Sequence, residues 1–159
     1  MTIEHSKYHD ETYLSLAREI LSNKASVFKP NRTGIESISY FGPQMEFDLS
    51  EGFPLLTTKK MFWRGIAEEL FWFLRGETNI KPLVDKNIHF WDGNAFQGYL
   101  IRLGKTKELP LYSPEWYKER EVFSQRIKED AEFARVNGDL GPVYGSQWRR
   151  WKTTDGRKR

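Results

Sequence analysis

The stretch that most limits how this chain can fold is residues 63–74, WRGIAEELFWFL. It reads as a helix that is apolar over most of its circumference, stopped by Gly76. Such a helix has little surface to give to water and belongs inside a core. Other elements must therefore surround it, and 159 residues suffice for one domain with a core of its own.

Asp10 is placed to cap a first helix whose apolar positions Tyr13, Leu14, Ala17, Ile20 and Leu21 keep helical spacing. Residues 26–31, with Lys29-Pro30, break that pattern. Ile38 and Tyr40, then Met45, Phe47 and Leu49 beyond Gly42-Pro43, alternate like two strand pieces joined at a bulge or turn. Residues 95–137 are more polar. Within them Ser113-Pro114 opens a helix, and Phe123, Ile127, Ala131 and Ala134 carry helical spacing to a stop near Gly138. The class expected is α/β (α+β): a mixed β-sheet flanked by helices, one domain over 1–159, with a helical insertion at about 95–137.

No run approaches the roughly 18 apolar residues that cross a bilayer, and mean hydropathy is −0.69. The first residues, MTIEHSKYHDETY, carry neither a basic nor an apolar signal region. A cytoplasmic chain is expected. The absence of cysteine excludes disulfides, thiolate metal sites and a thiol nucleophile within these residues. His5, His9 and His89 lack metal-site spacing, the first two falling in an end that reads as frayed, and no metal is expected. From Trp148 onward six basic residues face Asp155 alone, a local +5 that leaves −2 for the rest. The basicity belongs to the tail, so a nucleic-acid surface over the whole domain is not expected.

Several residues could carry chemistry. Glu69 has Gly65, Ile66, Trp72 and Phe73 as helical neighbours, whereas Glu68 has Arg64 beside it. Glu69 is thus the better candidate for a desolvated carboxylate that accepts and donates protons; the alternative is a boundary glutamate reaching water. Arg32, in PNRTGIES, could wrap an oxyanion with its planar fork. Trp91-Asp92-Gly93-Asn94 offers a ring wall for a flat heterocycle, a carboxylate and an amide. GDLGPVYGSQWRRW, residues 138–151, resembles the wall of an anion pocket, with Tyr144 between Val143 and Gly145. Thr153-Thr154-Asp155-Gly156 is a hairpin-type turn with only three residues after it. It suggests a chain that is cut, against the alternative of a frayed basic end.

Taken together and in order, NRTGIESISYFGPQMEFDLSEGFPLLTTKK, EELFWFLRGETNI, IHFWDGN and GDLGPVYGSQWRRW resemble the N-terminal segments of the thymidylate synthases. The resemblance runs from about Tyr13 to Gly156 and is interrupted after Trp91-Asp92, where the family varies in length. It implies reductive methylation of dUMP to dTMP with 5,10-methylenetetrahydrofolate, in a cytoplasmic homodimer. Arg32 would bind the dUMP phosphate. Glu69 would order water near the pyrimidine and assist proton transfer, and Tyr144 would join the hydrogen-bonded network there. Trp91 and Asn94 would line the folate site, and Lys59 would lie near the folate tail. Phe62 stands where the family often has a histidine, so tail binding is less secured here. The family's nucleophile is a cysteine in a Pro-Cys-His block that this chain lacks, along with the C-terminal half of the fold. The isolated chain is therefore expected not to make dTMP. A pyrimidine nucleotide hydroxymethylase of the same fold is the alternative enzyme. A non-catalytic fragment whose basic end binds a polyanion is the alternative of a different class.

Overall fold

The computed structural model describes residues 3–31 and 34–151, the side chains of residues 3–7 excepted. Arg32, and the turn and basic residues from Lys152 onward, lie outside the described residues. The chain is α+β and helix-rich, and divides into two compact units, residues 1–61 and 62–159.

The first unit holds helix α1 (Ile3–Ser22), strands β1 (Val27–Lys29) and β2 (Ser37–Ser39), and a single 3-10 turn at Leu49–Glu51. The strands pair antiparallel, Val27 opposite Ser39, Phe28 opposite Ile38 and Lys29 opposite Ser37. The segment that reads as a breaker thus supplies the partner of the Ile38 strand. Residues 45–48, expected to be a strand, form none, because no ladder partner reaches them among the described residues. Their run ends where Asp48 caps the 3-10 turn, its Oδ1 accepting from the amide and hydroxyl of Ser50 at 2.8 and 2.7 Å. Those bonds, the hydroxyl's first, hold the Asp48 carboxyl below the usual aspartate range.

Asp10 is not a cap. It lies inside α1, and its carboxylate accepts from both the amide and the hydroxyl of Thr57, which ties residues 55–58 to the helix. His9, expected in a frayed end, is fully buried, with Nε2 3.1 Å from the Gly52 carbonyl and its ring against Phe47.

The second unit holds α2 (Trp63–Leu74), α3 (Lys81–Val84), α4 (Asp92–Leu103), α5 (Pro114–Glu129), α6 (Ala131–Asn137) and α7 (Tyr144–Arg150). Ser113 caps α5 by accepting from the Trp116 amide. The helical spacing from Phe123 to Ala134 spans two helices, not one. Asp130 accepts from the Phe133 amide at 2.9 Å and opens α6, an instance of a short carboxylate competing with the helix for backbone N–H groups.

Residues 95–137 supply most of the larger buried cluster. Ala95, Phe96 and Leu100 of α4, Trp116, Phe123 and Ile127 of α5 and Ala134 of α6 close over Ile80 and Val84. The smaller cluster is Trp72, Leu83 and Ile88, flanked by Phe73, Trp91, Leu140 and Val143. Helix α2 has the predicted bounds but not the predicted burial. Only Gly65 and Trp72 are buried, and Leu70, Phe71 and Leu74 stay about half exposed, because α3 and α7 cover one side of it. Among the described residues no helix is long and apolar enough to cross a membrane.

Candidate active site

The two adjacent glutamates of α2 part company. Glu68 meets the Lys86 ammonium at 2.5 Å. Glu69, one residue on and 100° around the helix, accepts a hydrogen bond from Trp91 Nε1 at 2.7 Å. Trp91 immediately precedes α4 and is held from two other sides. Its ring lies 6.0 Å from Trp72 and 6.2 Å from Phe73, centroid to centroid. Tyr144, the first residue of α7, stands edge-on to Trp91 at 5.9 Å and to Phe73 at 5.4 Å. Residues 69, 91 and 144 therefore converge on one aromatic corner built on Phe73, with a carboxylate at its rim. Glu69 is half-buried, and Tyr144 is about half exposed.

The backbone brings α7 to this corner. Gly138 accepts from the Ile80 amide and Leu140 donates to the Thr78 carbonyl, so residues 78–80 and 138–140 run side by side. Gly141 then turns with φ +74°, a conformation that suits glycine. At Gly145 α7 touches α2 directly. A Cβ there would meet the Glu77 and Phe73 carbonyl oxygens at 2.9 and 3.0 Å and Phe73 Cα at 3.2 Å. Backbone atoms cannot swing aside, so Gly145→Ala must push the helices apart. It is expected to cost about 1–3 kcal/mol and to draw Tyr144 off Trp91. A denaturant melt superimposable on the parent's would show slack that these distances deny.

Asn94 is exposed and shares with Trp91 a cleft of about 260 Å³, which Ala95, Gly98, Leu140 and Val143 also line. The half-buried indole, its N–H already given to Glu69, offers this cleft a ring edge, and the exposed Asn94 amide a polar group beside it. Asp92 does not face that cleft. It is buried, bonded to Ser124 and His89, and serves the packing of α4 and α5.

Phe62, expected beside the folate tail, immediately precedes α2. Its ring lies over Gly65, where only a hydrogen leaves room for it, edge-on to Phe90 at 6.0 Å and beneath the Arg64 guanidinium. Lys59 is exposed in the first unit. Arg149 and Arg150, expected in an anion-pocket wall, are exposed on α7, and Arg150 lines an open cleft with Pro142, Ser146, Gln147 and Trp151. Among the described residues no group of three or more His, Asp or Glu side chains could hold a metal ion.

Phe73 and Trp148, 5.5 Å apart, also belong to this corner, though residue-by-residue reasoning passes over them. The signal for Phe73 is its place four residues after Glu69, on the same helical face.

The profile of the thymidylate synthase family matches residues 11–159. A thymidylate synthase of Mycoplasma pneumoniae (strain ATCC 29342 / M129 / Subtype 1) is 44% identical over 145 residues, 91% of this chain and 46% of that protein. One of Malacoplasma penetrans (strain HF-2) is 45% identical over 143 residues, 90% of this chain and 45% of the relative. The chain spans about half the length of these relatives. The match takes in all of α2, residues 89–94 and residues 138–151, the three segments that meet around Phe73, and with that agreement the chain belongs to the thymidylate synthase family.

Proposed function

We propose that this chain supplies the N-terminal part of a thymidylate synthase active site, for the reductive methylation of dUMP to dTMP. The observation that carries this reading is the Trp91–Glu69 hydrogen bond, with Tyr144 closing the same corner. Glu69 Oε1 is held by the indole, and among the described residues no partner engages Oε2. That oxygen is left to order a water or to pass a proton to a pyrimidine, as general acid–base work requires. Tyr144 adds a hydroxyl at the rim. Arg32 takes the dUMP phosphate in this reading.

5,10-Methylenetetrahydrofolate, when bound, supplies both the one-carbon unit and the hydride. The residues present fit its flat ring system: Trp91 is a fixed wall and Asn94 an open amide beside it. Trp91 orients the ring, and the packed Trp72 and Phe73 behind it keep water off its inner face. Lys59 is assigned to the tail, without help from Phe62. The full enzyme is proposed as a cytoplasmic homodimer that uses no metal. With no cysteine among its 159 residues, the chain alone is expected to form no dTMP.

The test joins this chain to the part of the Mycoplasma pneumoniae relative that it does not match. The product is assayed with dUMP and 5,10-methylenetetrahydrofolate and for rescue of a thymidine-requiring bacterium. dTMP formation and thymidine-free growth are expected. A folded chimera, shown by circular dichroism, that makes no dTMP while the relative does would remove the proposal. A hydroxymethylated nucleotide as product would replace it with the hydroxymethylase.

A further inference from the structure

Asp92 is the first residue of α4 and only 3% exposed. Its Oδ2 accepts from Ser124 Oγ at 2.5 Å and lies 2.7 Å from His89 Nδ1. A carboxylate oxygen accepts, so the imidazole donates through Nδ1–H. Oδ1 is buried with no partner among the described residues. Both hydrogen bonds that hold this carboxylate therefore arrive at one oxygen.

The two donors differ in strength. The His89 side chain is about half exposed, so water competes for it. Ser124 lies in the middle of α5, 32 residues downstream, and is buried. Its hydroxyl sits within reach of the Arg120 carbonyl as well, at 3.0 Å, but it has one proton to give. The shorter contact to a carboxylate takes it, since such bonds are the stronger kind.

One peptide bond links Asp92 to Trp91, whose indole meets Glu69 and whose carbonyl accepts the first helical bond of α4 from Ala95. We propose that Ser124, with His89 as the weaker leg, positions Trp91 against Glu69 through the buried Asp92 carboxylate. Helix α5 thus acts on the candidate site through Asp92, and a segment that reads as an insertion has a part in the site's geometry. The consequence for catalysis rests on the proposed roles of Trp91 and Glu69; the latch itself does not.

The Trp91 indole N–H reports it. The chain has six tryptophans, hence six indole cross-peaks in a ¹H–¹⁵N spectrum. Trp91→Phe assigns the relevant one, and Glu69→Ala, which leaves no acceptor, measures how far loss of the carboxylate bond moves it. Ser124→Ala is expected to move the Trp91 proton in the same direction. Ile127→Val, which trims a fully buried neighbour on the same helix without removing a hydrogen bond, is expected to leave it in place. An unmoved resonance in Ser124→Ala, or an equal displacement in Ile127→Val, overturns the latch. In the chimera, Ser124→Ala is expected to raise KM for the folate several-fold while kcat changes less. If the indole moves but KM does not, the latch stands and it is the folate-facing role of Trp91 that falls.

Discussion

Replacing Trp72 by alanine is expected to remove a large share of the stability of the second unit. Trp72 is fully buried at the centre of the smaller cluster, with Leu83 and Ile88 around it. Truncating a buried tryptophan costs about 3–5 kcal/mol, because the cavity left behind collapses only in part. The indole also donates to the Asn79 carbonyl at 2.8 Å, and its loss leaves that acceptor in a part-buried place without its donor. Against a net stability of about 5–15 kcal/mol for an ordinary domain, that is a large share. Trp72→Phe keeps a ring and loses the donor, so a smaller loss of about 1–3 kcal/mol is expected. Urea melts of the two variants separate packing from hydrogen bonding. A Trp72→Ala melt within experimental error of the parent's would mean that the cluster is not where the second unit is held together. Trp91 and Phe73 pack on Trp72, so the candidate site is expected to loosen with it.

The second large effect concerns Glu69. In the chimera, Glu69→Gln is expected to lower kcat by about 10²- to 10⁴-fold, the usual worth of a positioned proton carrier. Glutamine is close to isosteric, and its amide oxygen can still accept from Trp91 Nε1. The change therefore removes proton transfer while keeping the indole hydrogen-bonded, and the substrate KM values should move less than kcat. A rate within tenfold of the parent's would show that the carboxylate only orients Trp91. Glu68→Gln is the control, since Glu68 is engaged by Lys86 on another side of the helix.

That the two glutamates of α2 have different surroundings was legible from spacing; that both stay only half-buried, while Asp92 is the buried carboxylate, was not. Glu69 has large apolar neighbours on its face and Glu68 an arginine, and the structure turns the first to an indole and the second to an ammonium. The bounds of α2 and the Ser113 cap of α5 were legible for the same reason: both depend on residues within one or two turns. The strand partner of Ile38 was not. A three-residue strand carries almost no periodicity, and pairing through residues 27–29 is chosen by the return of the chain after α1. Nor was the break at Asp130, where helical spacing continues unbroken across a cap.

Local chemistry along the chain determined the bounds of α2, the Ser113 cap of α5 and which four segments belong together in one family. Those properties follow from neighbours three or four residues apart, or from a linear pattern of motifs. Only the tertiary structure decided that Glu69, Trp91 and Tyr144 share one corner, that α2 buries one side, and that Ser124 reaches Asp92 across 32 residues. Such contacts join groups distant in sequence, and their geometry is set by how helices pack, down to the single missing Cβ at Gly145.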